Sequence, residues 1–124
     1  MKCKMMARAR VNPTEDMDKV IKAISNIFKF DELEIGDGYV IVTGERESLF
    51  DLRESLKIRK IRTTAQRMFL NGIEGDKIIF SLSKQAALVS TPNFVDREMS
   101  VLGEIDVNIQ TENIERFIEW MTAK

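Results

Sequence analysis

The chain has no histidine, which removes the commonest neutral-pH general base and the commonest metal ligand together. Carboxylate, lysine and tyrosine chemistry stay conceivable, but the expectation is a protein that is not an enzyme and carries no cofactor. Its single cysteine, Cys3, excludes an intramolecular disulfide, and its setting beside lysines offers no zinc-ligand spacing. A reducing, cytoplasmic location follows as the expectation. No long apolar run is present, because Arg8 and Arg10 interrupt the N-terminal segment, so neither a signal peptide nor a membrane span is expected. There is no internal repeat or low-complexity tract. The glycines lack the spacing of a phosphate-binding loop. What is present fits one domain over residues 1–124: 44% hydrophobic residues suffice for a core that buries about two-thirds of the unfolded surface.

The periodicity alternates between strand and helix. Met5, Ala7, Ala9 and Val11 alternate with Lys4, Arg8 and Arg10, the pattern of a half-buried strand. Asn12, Pro13 and Glu15 predict a capping box opening a helix whose apolar face is Met17, Val20, Ile21, Ile24, Ile27 and Phe28. Leu33 and Ile35, the turn at Gly36-Asp37-Gly38 and the run Tyr39 to Thr43 predict a hairpin. Ser48 is expected to cap a helix with the stripe Leu49, Leu52 and Leu56. Ile58, Ile61, Ala65, Met68 and Phe69 fall on the opposite side, so the helix must break between about Lys57 and Ile61. Asn71-Gly72 is expected to form a left-handed C-cap, followed by a strand at Ile78 to Leu82. Ser83 is expected to cap a single helical turn, with a strand from about Leu88 to Phe94 as the alternative. A strand over Leu102 to Ile109 and a helix carrying Ile114, Phe117, Ile118 and Met121 complete the order. The class is α+β, a two-layer sandwich with a mostly antiparallel sheet covered on one face by helices.

Charge is nearly balanced overall, at net −1, but not along the chain. Arg53, Lys57, Arg59, Lys60, Arg62 and Arg67 meet one acidic residue, Glu54, and the helix break places much of this cluster at a protruding corner. Arginine and lysine at such a corner bring charged donors to phosphates; about four contacts are expected. The plainer alternative is a solvated helix pair whose stems cover apolar surface. Arg8, Arg10 and Lys84 are candidates to enlarge the patch. The pairs Glu32/Glu34 and Glu104/Asp106 share strand faces, as metal or acid–base pairs do, but solvated edges are the better reading and no metal is expected. Tyr39, Phe80 and Phe94 are read as core or dimer residues before stacking platforms.

The segments Val11-Asn12-Pro13-Thr14-Glu15-Asp16, Leu49 to Leu56, Ile61 to Leu70, Ser83-Lys84-Gln85-Ala86-Ala87-Leu88-Val89 and Leu102-Gly103-Glu104-Ile105 resemble a family of small archaeal proteins of unproven function. That family is described as predicted RNA-binding, sometimes exosome-associated, with a fold similar to the large-subunit ribosomal protein that holds the small ribosomal RNA. The resemblance implies RNA as partner, a possible RNA-processing complex, and Lys84-Gln85-Ala86-Ala87 as a signature. Family members often have glycine where this chain has Ser90. The expected function is RNA-backbone binding by Arg53, Lys57, Arg59, Lys60, Arg62 and Arg67, aided by Lys84. The alternative is a structural or regulatory homodimer.

Overall fold

Strand β1 (Cys3–Arg10) turns its alternation directly into structure: Cys3, Met5, Ala7 and Ala9 are buried, and the residues between them are exposed. The computed structural model describes residues 2–96 and 104–123. Helix α1 (Met17–Ile27) follows, then the hairpin β2 (Glu32–Gly36) and β3 (Tyr39–Glu45). A 3-10 turn (Arg46–Leu49) leads into α2 (Phe50–Ile58) and α3 (Arg62–Asn71). The chain continues through β4 (Ile73–Glu74), β5 (Lys77–Leu82), α4 (Lys84–Leu88), β6 (Phe94–Val95), β7 (Ile105–Thr111) and α5 (Ile114–Thr122).

The sheet order is β2-β3-β1-β7-β5-β4, with β6 also on β5, and every pairing is antiparallel. Register aligns Val42, Ala7, Val107 and Phe80 in one row and Val40, Ala9, Ile105 and Leu82 in the next. The two small alanines lie on the central strand, which leaves depth for Ile24, Phe28, Phe69 and Phe117 from the helical layer, all fully buried. Phe69 meets Phe80, Phe94 and Phe117 at ring separations of 5.1, 5.7 and 6.3 Å. The opposite sheet face carries Lys4, Arg8, Arg10 and Gln110 in the open. The expected α+β sandwich is therefore the observed fold.

Several local expectations change. Helix α1 does not begin after Asn12; Asp16 caps it, accepting from the Asp18 N–H at 3.0 Å. Glu15 does reach back to the Asn12 N–H (3.0 Å), but Lys84 holds the same carboxylate at 2.9 Å, and residues 12–15 close as a turn. Ser48 does not cap α2. It is buried in the 3-10 turn, against Gly44, where an added Cβ would come within 2.0 Å of its Oγ. Ile58 does not join the second stripe; it ends α2, well round the helix from Leu52 and Leu56, and faces solvent. The short strand β4 has no alternating pattern to announce it. Of the strand expected over Leu102 to Ile109, Leu102 and Gly103 lie outside the described residues, and β7 begins at Ile105.

Gly72 is not left-handed, with φ −96°. Its smallness serves a close approach, since a Cβ there would lie 1.9 Å from the Ile79 carbonyl oxygen. The left-handed helix ends are instead at Lys60 (φ 57°) and Ser90 (φ 59°). Both close Schellman motifs. After α2, the Ile61 N–H reaches the Leu56 carbonyl (3.1 Å) and the Lys60 N–H reaches that of Lys57 (3.2 Å); after α4, Thr91 pairs with Ala86 (2.9 Å) and Ser90 with Ala87 (3.0 Å). A side chain at this backbone conformation is unfavourable where glycine is not. Replacing Ser90 with glycine is expected to raise stability by about 1 kcal/mol, read as about 3–5 °C in thermal denaturation.

Candidate nucleic-acid interface

The break between α2 and α3 lies where the stripe reversal requires it, and Lys60 forms its tip. Leu52 and Leu56 hold α2 on the core and Ala65 and Phe69 hold α3, so the intervening Arg59 and Lys60 are driven outward. Arg62 opens α3 and is half-buried. No side chain caps that helix, because Ile61 stands in the cap position, and Thr63 and Thr64 of its first turn are exposed. Backbone and hydroxyl donors thus lie beside three cations.

The other charged candidates are placed differently. Arg53 is largely covered: its Nε donates to the Trp120 carbonyl at 2.7 Å and its guanidinium stands 5.2 Å from the Trp120 ring centre, tying α2 to α5. Arg53 and Lys57 both approach Glu54, at 4.0 and 3.9 Å. Arg67 is exposed, but it lies more than a turn along α3 and lines a cleft with Glu74, Phe94 and Asp96. Arg8 and Arg10 project from the sheet face opposite the helices, with Arg8 5.0 Å from the Tyr39 ring centre. They belong to a different surface from the corner. Arg59 does join a second element, donating from its guanidinium to the Ser90 carbonyl at 3.4 Å. The α2 and α4 C-termini therefore meet at one place.

Lys84 is buried, with 7% of its surface exposed, and its amine is taken up inside the protein. Nζ donates to the Arg10 carbonyl and to Glu15 Oε1, both at 2.9 Å, while the Lys84 backbone N–H donates to Glu104 Oε2 at 2.8 Å. Ser83 caps α4 as expected, accepting from the Ala86 N–H at 3.2 Å. The Lys84-Gln85-Ala86-Ala87 segment is thus a packing device: lysine for a long-range charge pair and alanine for a helix pressed on α1. Burial pushes the Glu15 carboxyl up, but hydrogen bonds from Lys84 and Asn12 and the lysine charge outweigh it and hold Glu15 below the usual carboxylate range. Burial likewise raises the Cys3 thiol, leaving it poorly suited as a nucleophile. Asp106 accepts from the Ser81 hydroxyl at 2.6 Å, so the Glu104/Asp106 pair serves the fold. No cluster of three metal-ligating side chains occurs among the described residues. Nor is any described helix long and apolar enough to cross a membrane.

Sequence reasoning missed the uncapped α3 start and the role of Ser90. The first has no signal, because an apolar residue in the cap position, Ile61, does not mark a helix start. The second had a signal in the family resemblance, which implies glycine where this chain has Ser90, and glycine is the residue that suits φ 59°.

Residues 4–111 match a family model described as RNA binding. The chain is 36% identical over 118 residues to a UPF0201 protein of Methanothermobacter thermautotrophicus, covering 95% of this chain and 89% of that one. It resembles the crystal structure of an uncharacterized UPF0201 protein with a TM-score of 0.86 and 33% identity, over 98% of this chain and 94% of the other. A UPF0201 protein from Methanococcus jannaschii gives 0.79 and 31%, over 98% and 93%.

Because Glu15 has a depressed pKa, its contribution to stability is complete above the unfolded value and is lost as pH falls through the folded one. Glu15→Gln is expected to destabilise the protein at neutral pH, with the gap from the parent closing in denaturant melts as pH falls below the usual carboxylate range. Lys84→Met is expected to cost roughly 2–4 kcal/mol at neutral pH by leaving Glu15 and the Arg10 carbonyl without their partner.

Proposed function

The chain belongs to the family described as RNA binding, alongside the UPF0201 proteins, and from that premise we propose that it is a non-catalytic protein that grips RNA backbone at the α2–α3 corner. The observation that carries this reading is the trio Arg59, Lys60 and Arg62, the first two exposed and the third half-buried, around an uncapped helix N-terminus. Arginine forks and a mobile lysine fit phosphate oxygens, and the first-turn donors of α3 add direction. Arg53 and Lys57 brace the corner through Trp120 and Glu54, and Lys84 supports it by fixing α4 beneath Arg59. Arg67 would reach only a longer RNA that continues along α3. A cytoplasmic RNA-processing assembly, of the exosome type, is the setting in which such a holder without catalytic groups serves. A fold akin to the ribosomal protein of the family resemblance is part of the same reading.

A second reading, homodimerisation, has its own observation. Strand β2 is an edge whose Leu33 and Ile35 remain 40% and 54% exposed. Light scattering distinguishes it directly, since a monomer at micromolar concentration would end it.

Three phosphate contacts instead of about four imply a slope of about −2 for log affinity against log salt with single-stranded RNA. Reversing Arg59, Lys60 and Arg62 together to glutamate is expected to abolish binding of labelled RNA at a stability cost of roughly 1–2 kcal/mol, with a cooperative melt retained. Lys60→Gly separates fold from function further: it is expected to stabilise the left-handed turn while weakening RNA binding. Salt-insensitive binding, or full binding by the triple reversal, would remove the corner from the interface.

A further inference from the structure

The two most exposed large apolar side chains among the described residues flank the basic corner: Ile58 is 76% exposed and Val89 71%. Neither belongs to the core cluster. Ile58 immediately precedes Arg59, and Val89 immediately precedes Ser90, whose carbonyl accepts the Arg59 guanidinium at 3.4 Å. The ends of two separate helices thus each place one bare aliphatic residue next in sequence to a partner of the Arg59–Ser90 hydrogen bond. Isolated exposed apolar residues need no explanation, but a pair set around a cation beside the left-handed Lys60 forms a mixed surface.

Such a surface suits one form of RNA. A uniform duplex offers phosphates and 2′-hydroxyls to an approaching corner, and neither gains from contact with isoleucine or valine. Unpaired bases offer apolar faces next to phosphates, which stack on guanidinium planes and pack on aliphatic groups. Resting on the RNA-binding reading above, we infer that the corner selects RNA with unstacked bases, in a loop, bulge or single-stranded end. Ile58, Val89 and the plane of Arg59 lie against base faces, while Lys60 and Arg62 hold the flanking phosphates. The Schellman turns at Lys60 and Ser90 hold the backbone beside each aliphatic residue, so the contact requires no ordering of a loop on binding.

Fluorescence anisotropy with two labelled RNAs of equal charge tests this: a hairpin with an unpaired loop and a fully paired duplex. The parent protein is expected to bind the hairpin about tenfold more tightly. The double variant Ile58→Gln/Val89→Gln is expected to lose about tenfold on the hairpin and no more than about twofold on the duplex, with an unchanged melt because both positions are exposed. Equal affinity for the two RNAs, or an equal loss on both in the variant, overturns the selection of unpaired bases while leaving backbone binding in place. Failure of the parent to bind either RNA overturns the RNA-binding reading itself, and capture of an acidic amphipathic peptide in their stead assigns the corner to a protein partner.

Discussion

The buried ammonium of Lys84 is the constraint on which the rest of the arrangement hangs. Taking a lysine out of water is costly unless charge and hydrogen bonds replace the lost hydration. Here Glu15 supplies the charge and the Arg10 carbonyl a further acceptor, both at 2.9 Å. Those partners lie on the end of β1 and on the turn before α1, and the lysine's own amide binds Glu104 just ahead of β7. One residue therefore pins a five-residue helix too short to be stable alone. Asn26 adds to the clamp, donating from α1 to the Ala87 and Leu88 carbonyls at 3.0 and 3.2 Å.

The fixed position of α4 then matters at its other end. Its final turn presents the Ser90 carbonyl to Arg59, so the basic corner is braced by a charge pair on the far side of that helix. A lysine lying in no accessible patch therefore still bears on the corner. Its effect on any surface chemistry is positional. The aromatic and hydrogen-bond link of Arg53 to Trp120 plays the matching part for α2.

Much of the fold was legible because strand alternation and helical stripes are local. Cys3–Arg10 alternates apart from the exposed Met6, and the reversal of phase between Leu56 and Ile61 located the bend. The charge cluster was legible as a count but not as a site. Arg53 and Lys57 are distinguished from Arg59 and Lys60 by Trp120 and Glu54, and the Trp120 contact is 67 residues away in sequence. Lys84 looked like an anion ligand because its partner Glu15, 69 residues distant, had a sufficient local explanation in the capping box. Gly72 was misread for a related reason: glycine after a helix usually signals a left-handed turn, whereas here the backbone of Ile79 leaves no space for a side chain.

The location of the cations admits a plainer explanation that magnitude can weigh. Lysine and arginine at helix C-termini offset the macrodipole, and the corner gathers the ends of both α2 and α4. A full-length helix end carries about half an elementary charge, and five-residue α4 less, so the two C-termini amount to at most about one negative charge. The α3 N-terminus returns about half a positive charge. Against these stand three full charges on Arg59, Lys60 and Arg62, while the neighbouring Glu54 is already flanked by Arg53 and Lys57. Dipole compensation therefore uses only part of the positive charge, and the corner retains a net excess of at least about two units. In a protein of net charge −1, the protruding turn thus holds more positive charge than the compensation of helix ends accounts for.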